Sequence, residues 1–352
     1  MFDKSTWIRL PRSVVVGHGV LDDVGAVVAD THLTGRPLIV TSPTPREVAA
    51  DHIVDELAAD GLDPAVTTVE TASFAAVEEV LEAARMADVG FLMGVGGGKA
   101  IDIAKMAADE LGVGFISVPT AASHDGIVSG RGSVPEGDTR HSVAADPPVA
   151  VVADTSIIAD APWELTTAGC ADIISNYTAV KDWRLANRLK NVEYSEYAGT
   201  LSQMTAEMLV DNADSIKPGL EESAWVVVKA LVSSGVAMSI AGSSRPASGA
   251  EHLFSHQLDR IAPGEALHGH QVGVGAILTE YLHSGEKGDW SSVRDALASI
   301  DAPTTAAELG VEPGAVIEAM TTAHTIRDRY TILGSGISTA AARQAATRTG
   351  VI

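Results

Sequence analysis

Two histidines stand four residues apart in Glu251-His252-Leu253-Phe254-Ser255-His256, a spacing that places both side chains on one face of a helix. A third, His268, follows sixteen residues after His252 in Leu267-His268-Gly269-His270-Gln271. A carboxylate lies upstream, in Gly169-Cys170-Ala171-Asp172-Ile173-Ile174-Ser175-Asn176. One carboxylate oxygen with two imidazole nitrogens leaves a coordination position open on a divalent metal, the pattern of a catalytic zinc. Taken alone, the histidine pair has a plainer reading as two exposed or capping groups. Cys170 reads as a small packing residue, His270 as a solvent-facing one and His124 as structural. His18, His32 and His283 carry no motif.

A second chemistry is written in glycine. Gly94-Val95-Gly96-Gly97-Gly98-Lys99 leaves an apolar run and enters Ala100-Ile101-Asp102-Ile103-Ala104-Lys105, a helical pattern. Glycines let a backbone approach a pyrophosphate, and a helix start offers its free N–H groups to one. The spacing departs from the usual dinucleotide fingerprint, and a tight turn without a ligand is the alternative. The loop Pro119-Thr120-Ala121-Ala122-Ser123-His124-Asp125-Gly126-Ile127-Val128-Ser129 follows the next apolar run. It should emerge at the same sheet edge, where open α/β sheets bind ligands. The hydroxyls of Thr120, Ser123 and Ser129 suit a cofactor, and Asp125 suits a hydroxyl-bearing substrate. The alternative is an ordinary capped loop.

The elements that must position these residues change in kind along the chain. Strands are expected at 37–41, 66–69, 89–93, 114–118 and 149–153. Helices are expected at 47–61, 73–87 (with Ser73 as N-cap) and 99–111. Such alternation implies a mostly parallel sheet covered on both faces. Arg131 to Asp146, rich in Gly, Pro and charge, reads as an exposed loop or hairpin. Beyond about Asp160 helical patterns dominate: 163–189, 194–212, 222–241, 247–258, 268–283 and two more near the end. Breakers such as Ser243-Ser244-Arg245-Pro246 and Ala262-Pro263-Gly264 separate them. The organisation expected is an α/β domain over residues 1–158 and an all-helical domain over 159–352, with no internal repeat.

Composition narrows the partners. The net charge of −22 comes from 46 acidic against 24 basic residues, of which eight are Lys. That balance disfavours nucleic acid and anionic membrane, both of which need clustered positive charge. The acids are spread along the chain, as on a solvated acidic surface; an acidic, Lys-poor surface resembles those of salt-adapted archaeal proteins. No run of about 18 uninterrupted apolar residues marks a membrane span. Met1-Phe2-Asp3-Lys4 lacks the basic and apolar regions of a signal peptide, so a cytoplasmic protein is expected. With Cys170 the only cysteine, no intramolecular disulfide can form.

In order, the GGGK turn, the TxxSHDG loop, GCAD, HxxxH and HG resemble the superfamily of iron-containing alcohol dehydrogenases, glycerol dehydrogenases and dehydroquinate synthases. Within it the chain looks most like the sn-glycerol-1-phosphate dehydrogenases, over nearly its whole length. The resemblance implies a Rossmann-like α/β domain followed by an all-α domain. It implies metal ligation, usually by zinc, at Asp172, His252 and His268, and NAD(P) contacts at Gly96, Gly97, Gly98, Lys99, Ala100, Ile101, Asp102, Thr120, Ala121, Ala122, Ser123 and Ser129. Substrate contacts are implied at Asp125, Asp172 and His256, with Asp125 and His256 the catalytic candidates. Iron-containing relatives place a fourth ligand, a histidine, four residues after the aspartate. Asn176 stands there, which favours a three-ligand zinc site.

The implied reaction is the reversible reduction of dihydroxyacetone phosphate to sn-glycerol 1-phosphate, supplying the backbone of archaeal membrane lipids. The partners implied are a small phosphorylated substrate and other copies of the same chain, with no nucleic acid and no stable membrane insertion. A glycerol dehydrogenase acting on unphosphorylated substrate is the nearest rival. A dehydroquinate-synthase-like lyase fits less well, because those enzymes use glutamate where Asp172 stands. A non-catalytic protein that keeps the fold is the rival of a different class. The apolar run 37–41 ends Val40-Thr41-Ser42-Pro43-Thr44 without an acid to repel the extra phosphate of NADP, so both cofactors are expected to be accepted.

Overall fold

A computed structural model describes residues 7–136 and 139–352. Met1–Lys4 lie outside the described residues. The first half builds a six-stranded sheet from β1 (Ser13–Gly17), β2 (Arg36–Thr41), β3 (Ala65–Thr68), β4 (Val89–Gly96), β5 (Gly114–Pro119) and β8 (Ala150–Asp154). The intervening β6 (Arg131–Glu136) and β7 (Thr139–Ala144) form a separate antiparallel pair. The spatial order is β1-β8-β5-β4-β2-β3, and every neighbouring pair in it is parallel. Buried strands with apolar residues on both faces need cover on both. Leu38, Val40 and Leu92 pack to one side, Ile39, Phe91 and Met93 to the other.

The helices of this half are α1 (Val24–Thr31), α2 (Asp51–Ala59), α3 (Phe74–Ala87), α4 (Gly98–Leu111) and the short α5 (Thr155–Asp160). Ser73 caps α3 as expected, its Oγ accepting from the Ala76 N–H at 3.1 Å. The expected helix at 47–61 is entered through Pro43–Pro45 and a π-turn over Arg46–Ala50. β1 was not expected: Val14-Val15-Val16 is a β-branched run too short to stand out, and it gains its place by pairing with β8.

The second half is helical: α6 (Trp163–Lys190), α7 (Glu196–Asn212), α8 (Glu221–Ala241), α9 (Ala250–Ile261), α10 (His268–Ser284), α11 (Trp290–Ser299), α12 (Pro313–Thr322) and α13 (Thr339–Thr349). Three helices, not two, follow α10. Among the described residues α8 alone is long and apolar enough to cross a membrane; half of its apolar window is buried, with Val227, Val228 and Leu231 in the core. The buried Asp182 of α6 ties this half together. It accepts the Ala250 N–H at 2.7 Å and the Ile332 N–H at 2.6 Å, and pairs with His283 at 3.0 Å.

Candidate active site

Register places the two ligand-binding candidates side by side. β4 and β5 pair up to Gly96 and Pro119, so the turn after one and the loop after the other leave the sheet together. Gly96 has φ of +146°, a conformation open to glycine and closed to most side chains. α4 then begins, and its first N–H groups lack intrahelical partners. His124 fastens the loop to the turn. Its Nδ1 accepts the Gly126 N–H at 2.9 Å, and its ring lies so close to Gly98 that a Cβ there would sit 2.0 Å from Nε2.

The helical half closes on this edge through small residues. A Cβ on Gly169 would lie 1.9 Å from the carbonyl oxygen of Ala122, so glycine lets α6 reach the loop. Three residues on, Asp172 accepts the Asp125 N–H at 3.1 Å through Oδ2. A Cβ on Gly269 would meet the Ala168 carbonyl oxygen at 2.0 Å, which seats the start of α10 on α6. The loop from β5 and the aspartate of α6 are thus joined directly.

Asp172, His252 and His268 each offer a ligand atom, and these atoms lie within 4.8 Å of one another. Their tautomers follow from their neighbours. Glu251 is fully buried, and its Oε1 faces His252 Nδ1 at 3.1 Å. A carboxylate can only accept, so Nδ1 carries the hydrogen and the lone pair sits on Nε2. Ser255 Oγ donates to Gln271 Oε1 at 2.7 Å, so it accepts from His268 Nδ1 at 2.9 Å, leaving the lone pair of His268 on Nε2 as well. His252 Nε2 faces Asp172 Oδ1 at 3.5 Å. Two lone-pair atoms so placed, in a buried site, call for a positive charge between them. Without an ion that charge is a second proton on the ring: burial works to lower the His252 pKa, yet the bonds to Asp172 and Glu251 outweigh it and raise it to about 9. One oxygen, two nitrogens and an orienting carboxylate or hydroxyl behind each imidazole fit a divalent cation.

Asp125 is half-buried, and loss of hydration together with the charge of Asp172 raises its carboxyl to about 7. Ser234 Oγ donates to its Oδ2 at 2.9 Å and in turn accepts from Asn176 Nδ2 at 3.1 Å. Asn176 is thereby turned to orient Asp125. His256, one turn beyond His252, stacks on His268 with ring centroids 5.6 Å apart.

These residues line one cavity of about 360 Å³. Asp125, Asp172, His252, His256 and His268 all reach it, and so do Gly98, Lys99, Asp102 and Ser129. The other proposed cofactor contacts lie beside it. Gly96 and Gly97 form the turn behind, and Ala100, Ile101, Thr120, Ala121 and Ala122 are buried, with Ser123 half-buried. Asp102 is engaged on both oxygens, by Lys105 Nζ at 3.1 Å and by the Ser133 N–H at 3.0 Å, so its carboxylate holds the hairpin. That hairpin is not the exposed loop one reading allowed, since Gly132 and Val134 are buried against α4. His270 also departs from expectation. It is buried beside Thr167 at 2.8 Å, and burial pushes its pKa down to about 4. Cys170 is buried as expected, its thiol pushed up to about 12.

Sequence reasoning passed over Lys105, Glu251, Arg131 and Arg327. Glu251 adjoins His252, but nothing in the spacing shows it turning inward. The arginines come from a hairpin and from the segment after α12, and only the fold brings them to the cavity.

The chain matches the model described as iron-containing alcohol dehydrogenase over residues 15–162. Among solved structures it superposes on a probable glycerol dehydrogenase from Sinorhizobium meliloti with a TM-score of 0.80, at 20% identity over 99% of this chain and all of the other. A sulfoacetaldehyde reductase from Bifidobacterium kashiwanohense gives 0.78 at 15%, over 99% of this chain and all of that one. These likenesses show the fold. Curated relatives are far more similar. A glycerol-1-phosphate dehydrogenase (NAD(P)+) of Halobacterium salinarum is 78% identical over the full length of both chains. One of Halorubrum lacusprofundi is 74% identical over all of this chain and 99% of its own, and one of Methanococcoides burtonii 54% over all of this chain and 98% of its own. With the motifs, the fold and full-length identity in agreement, the chain belongs to the glycerol-1-phosphate dehydrogenase family.

Proposed function

We propose that the chain catalyses the reversible NAD(P)H-dependent reduction of dihydroxyacetone phosphate to sn-glycerol 1-phosphate, the backbone of archaeal membrane lipids. Full-length identity to the curated dehydrogenases carries this reading. In it, residues 1–158 hold the dinucleotide and 159–352 the metal and substrate. The pyrophosphate rests on the turn Gly96–Gly98 and the start of α4, through Lys99 to Asp102. Thr120 to Ser123 and Ser129 would contact the dinucleotide as well. No acid stands at the end of β2, so NADP is accepted as well as NAD.

Asp172, His252 and His268 would hold the metal, with zinc preferred because Asn176 stands where the iron-containing relatives carry a histidine, and its amide nitrogen is given to Ser234. Zinc held there supplies Lewis acidity toward negative charge developing on the substrate's C2 oxygen. Asp125 binds a substrate hydroxyl, fixed by Ser234. His256 orients the substrate and relays the proton that the C2 oxygen takes up. Residues of both halves line the cavity and shield these groups from bulk water, and charges act more strongly in such a site than in water.

The test follows NADH and NADPH oxidation with dihydroxyacetone phosphate and with dihydroxyacetone, before and after chelation. Turnover of the phosphorylated ketone that is lost with the metal and restored by zinc supports the reading. Equal turnover of the plain ketone assigns the chain to glycerol oxidation instead. A homo-oligomer is expected on the same reading, which light scattering on the purified protein checks.

A further inference from the structure

The cavity has a cationic wall for which the metal ligands and the glycine turn do not account. Arg131, from the hairpin, and Arg327, after α12, both line it, and both also border an adjoining hollow with His256 and Arg260. Arg329 and Arg245 stand close enough to be felt. Burial lowers the Arg327 guanidinium, and the charge of Arg131 adds to this. Burial takes Arg329 down to about 9, with Arg327, Arg245 and Arg131 acting in the same direction.

The carboxylates that face this group are Glu251 toward Arg329, and Asp182 and Asp328 toward Arg245. Among the described residues, none of the four arginines makes an ion pair; those seen belong to Arg9, Arg36, Arg46, Arg294 and Arg348. Arg329 donates instead to the Ser248 carbonyl and, at 2.8 Å, to Ser244 Oγ. The Nε of Arg131 is buried with no hydrogen-bond partner.

The chain carries 46 acids against 24 bases, yet here it gathers guanidiniums without pairing them. These half-buried cations are left unpaired at a cost, and an anion seated among them relieves both the repulsion and the unmade bonds. Guanidinium suits phosphate, because its donors form a planar fork matching two oxygens. The cavity is also lined by Asp172, His252 and His268, so an anion at this wall shares it with the reacting centre.

We propose that Arg131 and Arg327 form the phosphate subsite of the substrate, with Arg329 a positioning residue that ties down Ser244 and Ser248 of the same cavity lining. The assignment rests on the reading of a phosphorylated three-carbon ketone as substrate. The other phosphate in play, the 2′-phosphate of NADP, belongs near the end of β2 by the convention of this sheet type, apart from the metal ligands.

The experiment uses the full-length zinc enzyme and its Arg327→Gln and Arg327→Lys variants, each checked for metal content. The ratio of kcat/KM for dihydroxyacetone phosphate over dihydroxyacetone is expected to fall roughly 10- to 100-fold in Arg327→Gln, the range of a lost charged hydrogen bond. Arg327→Lys, which keeps charge but loses the fork, should recover only part of it. Calorimetric titration with inorganic phosphate should show weaker binding to Arg327→Gln by a similar factor. An unchanged ratio with unchanged phosphate affinity overturns the subsite. So does a loss confined to the KM for NADPH. If the wild type reduces neither ketone, the proposed function fails, and the phosphate titration alone decides the subsite.

Discussion

Lys105 Nζ lies 3.1 Å from Asp102 Oδ1 in a place where the lysine side chain meets no solvent at all. The ammonium also donates to the carbonyls of Gly126 and Arg131, both at 2.6 Å, so one buried charge joins α4, the β5 loop and the hairpin. Lys105→Met should strand the Asp102 carboxylate and cost about 3–5 kcal/mol. Denaturant midpoints measure this, and adding Asp102→Asn should return part of the loss. A single variant as stable as the wild type would show the pair to be incidental.

Gly169→Ala tests the approach of α6 to the loop. The added methyl meets a carbonyl oxygen of the backbone, which cannot swing aside as a side chain would. Overpacking of this kind costs about 1–3 kcal/mol. A fall in Tm with a rise in KM for the ketone is expected, because Asp125 moves with the loop.

Glu251→Gln keeps the shape of the side chain while weakening the bond that orients His252. Changes behind a metal ligand typically lower metal affinity by roughly 10- to 100-fold, and competition with a chelator reads this directly. His252→Ala and His268→Ala should retain no metal. His256→Ala should keep it and lose turnover; a variant that lost its metal would make His256 a ligand.

Buried His270 sets a pH window. In the unfolded chain an imidazole takes a proton near 6.5, in this fold only near 4. Between those values the unfolded state binds more protons, so stability falls as pH drops from 6.5 toward 4. His270→Gln should flatten that part of the stability profile, followed by denaturant unfolding at several pH values. An unaltered slope would mean that the ring is not held neutral.

The acidic surface should make the protein salt-dependent. Sixteen of the 24 basic residues are Arg, and net charge of −22 repels itself in dilute buffer. Salt screens that repulsion, so Tm and activity should rise together between low and molar salt. A flat response would assign the acids no such role.

What the sequence made legible were features with a local signature. The strand 37–41 showed as an unbroken apolar run, and Ser73 as a hydroxyl at a helix start. His252 and His256 showed as a period on one helix face, and the GGGK turn as glycine between two apolar segments. What stayed hidden depends on distant parts meeting. β1 is built on three valines whose meaning comes from β8, 137 residues later in the pairing. His270 read as solvent-facing because a polar residue beside a glycine carries no mark of the helix that covers it. Arg131 and Arg327, nearly 200 residues apart, have no pattern in common at all.

The cavity walls come from both halves of the chain, and that has a consequence for handedness. A planar ketone is the same molecule from either side until something holds it. Asp125 comes from the loop after β5, the histidine cluster from α9 and α10, and the arginines from the hairpin and the segment after α12, so on the readings proposed above a ketone would be held at three places. A ketone held so would turn one of its faces toward the glycine turn, and hydride delivered from that side would give a single mirror form. To make the other enantiomer in this frame, the arginines would have to change sides with Asp125, and the hairpin and the segment after α12 are built into opposite halves.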